Sequence, residues 1–360
     1  MSTKTITLGP GQLALEEPMY FKVQVEGETV VGLDVIAGQV HRGMEHLVMK
    51  RNLYQNITLL ERLCSLCSNS HPSTFCTAVE EIAGIIIPPR AEYLRAVADE
   101  IKRISSHLFN CAVVAHVIGQ GPLFKQAMEI REIMQDTKES IYGNRMDLAA
   151  NCIGGVRYDL TPESAGYLAL QMERMQAPLD GLLRTYATDP AIRARTEGVG
   201  VLSRRDAVDF AVVGPVARAC GIAYDVRQKS PYGAYDRLCF EVPVLQQGDV
   251  RARALVRLRE ARESASLIAQ CLAQLPGGPV CVDTLPEIPA GEAIAKSEAP
   301  RGELIYYLNT DGSDLPARLK WRVPSYMNWD ALKVMLQGER VADIPLIVNS
   351  IDPCISCTDR

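Results

Sequence analysis

The sequence predicts a mainly α-helical protein, a bundle of long helices with small β elements at its edge. Three observations carry this expectation. Apolar residues recur at spacings of three and four over several long segments. Strand-like alternation is confined to short stretches. Hydrophobic residues make up 47% of a 360-residue chain, enough for a substantial core. One domain over 1–360 is expected, with a β-hairpin region over 1–40 and the helical bundle over 41–360.

Taken in order, residues 4–36 alternate around Glu26, Gly27 and Glu28, a turn flanked by Phe21, Val23 and Val25 and then by Val30, Val31 and Leu33. That pattern predicts a hairpin. From Met44 the period turns helical, and Leu47, Leu53, Ile57, Leu60 and Leu63 make a stripe leading to Cys64. Pro88 and Pro89 open a long helix whose seam is Leu94, Val97, Ile101, Ile104, Leu108 and Cys111. It is expected to stop near Gly119–Pro122. Further helices are expected over 125–150, 162–187 and 249–274, the last capped by Asp249 and ended by Pro276–Pro279. Cys239–Val244 and Leu304–Leu308 look like short strands, and Pro286–Pro300 like an irregular connection.

Charge and targeting signals narrow the function classes. A net charge of -5 and a pI near 5.7 leave no basic footprint for nucleic acid. Residues 1–10 carry no apolar signal region, and runs such as Cys111–Ile118 fall short of the ~18–20 residues a membrane span needs. Eleven cysteines without a signal peptide fit a reducing compartment with some thiols committed to metal, so the cytoplasm is expected.

Two constellations carry chemistry. The first is Arg62, Cys64, Cys67 and His71 at the end of a helix; the second is Asp352, Pro353, Cys354, Cys357 and Arg360. Each CxxC places two thiolates on one side of a turn, close enough to chelate one metal, and a nearby Arg62 and His71 would favour the thiolate form. If the fold brings both pairs together they make a four-thiolate site. A structural four-cysteine zinc is the alternative, but structural zinc usually staples a small module lacking its own core, whereas nearly the whole chain separates these pairs. The other seven cysteines, Cys76, Cys111 and Cys152 among them, read as small core hydrophobes.

The pattern R-x-C-x-x-C-x-x-x-H joined to D-P-C-x-x-C-x-x-R resembles the paired metal motifs of nickel-iron hydrogenase large subunits. The resemblance runs along the chain. Gly9–Pro18, His41–Glu45, Gly214–Arg227, Glu298–Glu303 and Trp321–Ser325 are similar to blocks shared by the membrane-associated, energy-converting hydrogenases and the quinone-site subunit of respiratory complex I. Glu16–Phe21, Arg131–Lys138 and Gly143–Asp147 look most like the CO-induced members of that group.

This resemblance implies a large-subunit fold, a long-helix bundle, and a Ni-Fe centre whose iron carries CO and two cyanides. It makes Cys64 and Cys354 terminal nickel ligands and Cys67 and Cys357 the bridges to iron. Arg301 resembles the arginine overhanging the open side of the centre, Asp352 stands beside it, and Ser325 resembles the hydroxyl that hydrogen-bonds a cyanide. Glu17 resembles the proton-passing carboxylate, with Glu16 the alternative one residue away. Glu45 resembles a ligand of an additional Mg or Fe near the centre, shared with a C-terminal histidine; that histidine is Arg360 here, so Glu45 either binds the extra metal or pairs with a cation.

The sequence also departs from the family pattern. Ser65 follows the first cysteine in place of a common glycine, Gln12 replaces a histidine, and the long helix lacks a terminal aspartate, with His116 nearby as a core or interface residue. A chain ending at Arg360 is expected to be either mature or from a lineage needing no cleavage.

The activity implied is reversible interconversion of H2 with protons and electrons, run toward H2 evolution from ferredoxin-type electrons. The implied partners are an iron-sulfur small subunit holding the nearest cluster, a ferredoxin-like electron-transfer subunit, and membrane subunits that translocate ions. The chain would then be peripheral on the inner face of the cell membrane. A complex I-like quinone-reductase subunit is the alternative reading.

Overall fold

The computed structural model describes residues 2–146 and 148–360; Asp147, in the Gly143–Asp147 block, lies outside them. Strands β1 (Lys4–Leu8), β2 (Tyr20–Glu26) and β3 (Thr29–Ile36) form an antiparallel sheet in that order. The expected hairpin is there, turning at Gly27 with φ +64, and β1 adds a third strand. Phe21, Val23, Val25, Val30 and Leu33 face the core while alternate residues face water.

The helical stretch leading to Cys64 divides into α1 (Met44–Val48) and α2 (Leu53–Glu61). The division lies at Asn52, whose side chain accepts from the Gln55 backbone N–H at 2.8 Å and restarts the helix. After the turn bearing the first CxxC comes α3 (Ser70–Ala83), then the long α4 (Pro89–Val117) and α5 (Gly121–Tyr142). Helix α5 starts and stops earlier than the periodicity predicted, ended by Gly143 at φ +70. Helices α6 (Pro162–Thr188) and α7 (Val250–Gln274) lie where expected, α7 capped by the Asp249 carboxylate on the Ala252 backbone N–H at 2.7 Å.

Two expectations for the later chain need correcting. Pro286–Pro300 is not irregular: it contains β4 (Ala290–Ala299), which pairs with β5 (Gly302–Asp311), itself paired with β6 (Pro316–Arg322). The inward side chains of β4 are Ala293, Ala295 and Ser297, too small to register as an apolar strand yet small enough to let α3 pack close. Cys239–Val244 is extended but unpaired; the Gln270 side chain bonds Cys239 N and O at 2.9 and 2.7 Å, where a strand partner would stand.

Helices α4 to α7 and the N-terminal sheet share one apolar cluster. A second cluster joins α1–α3 to β4–β6 and includes all four motif cysteines. The predicted α4 seam is buried throughout, and so are its polar residues Arg95, Asp99, Glu100, Arg103, His107 and Asn110, because this helix runs through the interior. Helices α8 (Ile344–Ser350) and α9 (Ile355–Asp359) then return the chain to the N-terminal region. No helix among the described residues is long and apolar enough to cross a membrane.

Candidate metal centre

Cys64 and Cys67 sit in the turn between α2 and α3; Cys354 precedes α9 and Cys357 lies one turn into it. The four Sγ atoms lie within 4.8 Å of one another and all four residues are buried, with Cys354 and Cys64 at 3.1 Å. Around a thiophilic metal with bonds of about 2.3 Å, tetrahedral geometry puts sulfurs about 3.8 Å apart, so the cage has the size for metal. Hydrogen bonding from the C-terminal pair pushes Cys64 down to about 7 and Cys67 well below an ordinary thiol. The hydrogen bonds to that first pair, with burial, push Cys354 and Cys357 well above an ordinary thiol, so without metal the negative charge is held on the first pair, and four soft donors fit the nickel-iron pair.

Arg301 projects from the β4–β5 turn over this cage. Its Nε donates to Asp352 O and its Nη2 to Asp352 Oδ1, both at 2.7 Å, while Nη1 lies 3.3 Å from Cys67 Sγ and 3.4 Å from Ser106 Oγ. An ordinary surface arginine would be solvated; Arg301 is 2% exposed. Gly214, at φ +69, permits the turn's position: a Cβ there would stand 2.1 Å from Arg301 O. Asp352 holds the left-handed φ of +59, uncommon for a residue with a side chain. Ser325 Oγ accepts from Cys354 N at 3.0 Å, fixing the loop that carries the second pair.

On the other side, His71 Nε2 lies 3.3 Å from Cys357 Sγ and its Nδ1 2.7 Å from Tyr306 Oη. Burial pushes His71 down to about 4, so the ring is neutral and can donate from Nε2 to the sulfur while Nδ1 accepts from the tyrosine. Tyr306 stacks on Trp321 with ring centroids 5.5 Å apart. Arg62, just past the end of α2, has a half-exposed side chain that pairs with Glu61 at 3.1 Å.

Both candidate carboxylates line a cavity of about 80 Å³ that also exposes Cys64, Arg301, Asp352 and Cys354. Glu17 is clasped by Ser356, whose backbone N–H reaches Oε2 at 2.6 Å and whose hydroxyl reaches Oε1. Desolvation raises its pKa against the pull of that backbone bond. Glu16 is exposed as a residue, yet its carboxyl is desolvated against Asp352, Cys64 and Glu17 and is pushed up to about 7. A larger groove of about 960 Å³ lies between α6 and α7, lined by Met172, Met175 and Arg259 among others; among the described residues the metal-binding set is the four cysteines beside the smaller space.

Of the two readings of Glu45, the structure favours a cation partner. Arg360 Nε bonds it at 2.8 Å and Lys320 Nζ stands at 3.8 Å, so a divalent ion would meet two positive charges. The residues present do not fit a second metal. His116 is exposed, near Phe124 at 5.8 Å, and so is not a core histidine. Cys76 and Cys111 are buried apolar thiols, desolvation pushing Cys111 up to about 12; Cys152 is only half-buried, 3.8 Å from Cys281. Sequence reasoning missed Ser106 and Tyr306, which carry no motif, and gave no role to Ser356 within the second CxxC; only their contacts in the fold, with Arg301, His71 and Glu17 respectively, mark them.

The profile of nickel-dependent hydrogenases matches residues 42–111, and that of the respiratory-chain NADH dehydrogenase 49 kDa subunit matches 118–287 and 282–360. The carbon monoxide-induced hydrogenase of Rhodospirillum rubrum is 60% identical over 361 residues, covering 100% of both chains. The chain belongs to the nickel-iron hydrogenase large-subunit family. This hydrogenase chain is also 37% identical to the membrane-bound hydrogenase subunit alpha of Pyrococcus furiosus, over 99% of itself and 87% of that protein. A chain of an archaeal membrane-bound sulfane sulfur reductase superposes at a TM-score of 0.94 with 33% identity, covering 99% and 98%. One fold thus serves hydrogenases, a sulfur reductase and a complex I subunit, and within it this chain carries a buried four-cysteine cage.

Proposed function

We propose that this chain is the catalytic subunit of a multi-subunit, membrane-associated nickel-iron hydrogenase that evolves H2 from ferredoxin-type electrons linked to CO oxidation. The observation that carries it is the convergence of four buried cysteine sulfurs from distant parts of the chain. A quinone-reductase subunit has no use for such a cage. A structural zinc has little to add where two large apolar clusters already meet.

Cys64 and Cys354 would hold nickel and Cys67 and Cys357 would bridge to an iron carrying CO and two cyanides. When bound, that group supplies the Lewis acidity and redox capacity needed to polarise and split H2. Arg301 keeps a fixed guanidinium over the open side, aligned by Asp352. Ser325 accepts from Cys354 N, which leaves its own hydroxyl proton to donate toward a cyanide. His71 donates to Cys357 and draws negative charge from that sulfur.

Glu17, anchored on the loop between Cys354 and Cys357, is the inner proton carrier, and Glu16 at the mouth passes the proton to water. Electrons are exchanged with an iron-sulfur small subunit fed by a ferredoxin-like partner. Ion-translocating membrane subunits hold the assembly on the inner face of the cell membrane.

Elemental analysis of the natively isolated complex, with infrared spectra, tests this reading. Nickel and iron together with CO and CN stretching bands are expected. Zinc alone, or no metal in active complex, would refute it.

A further inference from the structure

Helices α4 and α7 meet along a buried polar seam. On α4, Arg103, Ser106, His107 and Asn110 share a face; opposite them on α7 stand Arg253, Arg257, Glu260 and Ser264, all buried. Most of these groups are satisfied. His107 Nε2 is 2.9 Å from Glu260, and Arg253 donates to Ser350 Oγ, Gly248 O and Gly200 O.

Arg257 is different. Its Nη1 donates to Ser350 O at 2.8 Å and Arg253 O at 3.3 Å, but Nε and Nη2 find no partner among the described residues. Two buried acceptors are in the same condition, Asp352 Oδ2 and Asn110 Oδ1. The three residues meet at one turn: Asn110 Nδ2 donates to Asn349 O at 2.9 Å and Arg257 Nη1 to Ser350 O at 2.8 Å, and Asp352 belongs to the turn itself, its backbone N–H donating to Asn349 O at 3.0 Å. Asp352 is also the strongest negative charge acting on Arg257. Two donors and two acceptors, buried around one turn without direct contact, make the polar set that one or two internal waters require.

We propose that the space bounded by Arg257, Asp352 and Asn110 binds ordered water, through which Arg257 acts as a positioning residue that fixes the Asp352 carboxyl from behind while Arg301 fixes it from the front. The water site stands on this chain's own atoms; only its relevance to turnover rests on the hydrogenase reading. The arrangement gives a use to a buried guanidinium that no carboxylate touches. Asp352 then has two cations to orient it, one across water, and Arg301 in turn is held at a single angle over the sulfurs.

The decisive measurement is a structure of the intact complex at a resolution that places waters. At least one water within about 2.6–3.2 Å of both an Arg257 nitrogen and Asp352 Oδ2 is expected. A dry interior, or direct guanidinium–carboxyl contact, overturns the proposal whichever metal the cysteines hold.

Arg257→Met and Arg257→Lys in the holoenzyme test the positioning role. The methionine variant should shift the CO and CN bands and lose roughly 10- to 100-fold in turnover at unchanged nickel content, and lysine should restore most of both. Native bands and native turnover in Arg257→Met overturn that role. If the methionine chain fails to accumulate, the water positions in the unmodified complex still decide.

Discussion

Replacing Glu17 by Gln separates chemistry from scaffolding, because the structure puts a size on each. Both carboxylate oxygens accept from Ser356, one from its backbone N–H at 2.6 Å and one from its hydroxyl. A glutamine offers one acceptor, so one donor loses its partner, at a cost of about 1 kcal/mol or roughly fivefold if it falls wholly on the active state. Loss of a positioned acid-base group costs roughly 10²- to 10⁴-fold, or about 2.7–5.5 kcal/mol of barrier. Proton transfer should dominate. Nickel, iron and infrared bands should be unchanged in Glu17→Gln, H2 evolution should fall at least a hundredfold, and D2/H+ exchange should lag. Ser356→Ala is the control, removing the hydroxyl contact while leaving the carboxylate able to ionise, and should lose under tenfold. If Ser356→Ala is as damaged as Glu17→Gln, Glu17 is a structural clasp; if Glu16→Gln is the crippled variant, the inner carrier is Glu16.

Each of Cys64, Cys67, Cys354 and Cys357 changed to Ser should abolish nickel retention and H2 activity, whereas Cys111→Ala should keep its nickel and lose only ~1–2 kcal/mol of packing; nickel per chain by mass spectrometry is the check. Arg301→Met leaves the Asp352 carboxyl buried beside no direct cation and should destabilise the chain by roughly 3–5 kcal/mol, while Arg301→Lys keeps the charge but loses the fork and should recover part of it, as read by thermal or urea midpoints. Burial pushes Asp99 up to about 6 from 3.8, so the folded state binds its proton more tightly than the unfolded chain. Its contribution to stability is therefore full below about 3.8 and lost as pH rises through about 6. Asp99→Asn retains the acceptor for Asn69, at 2.5 Å in the native protein, and should gain up to roughly 3 kcal/mol over wild type between pH 4 and pH 8; equal slopes in the two melting series would contradict this.

The long helices were legible because their apolar spacing is a consequence of burial itself, and caps such as Asp249 announce where they begin. The metal cage was legible because CxxC is a local device and needed only the fold to bring two copies together. Strand β4 was not, since alanines and a serine fill its inner face and the apolar signal scales with side-chain size. Buried charge was also invisible. Arg103, Arg257 and Glu260 look like helix-surface residues until α4 and α7 are seen to enclose them, although their i, i+3 and i+4 spacing within apolar helices was a signal available for the reading.

The contacts that complete the site span almost the whole chain. Cys64 meets Cys354 across 290 residues, Glu17 meets Ser356 across 339, and Asn349 donates to Leu13 O across 336. During translation at roughly 5–20 residues per second, the first pair of thiols would wait about 15–60 s for its counterpart. Through that interval the bundle helices can pack by local contacts, but the cage cannot exist. A chain truncated or stalled before Cys354 therefore has no pocket with which to sequester nickel, and insertion of the metals becomes a report that synthesis has passed Cys357.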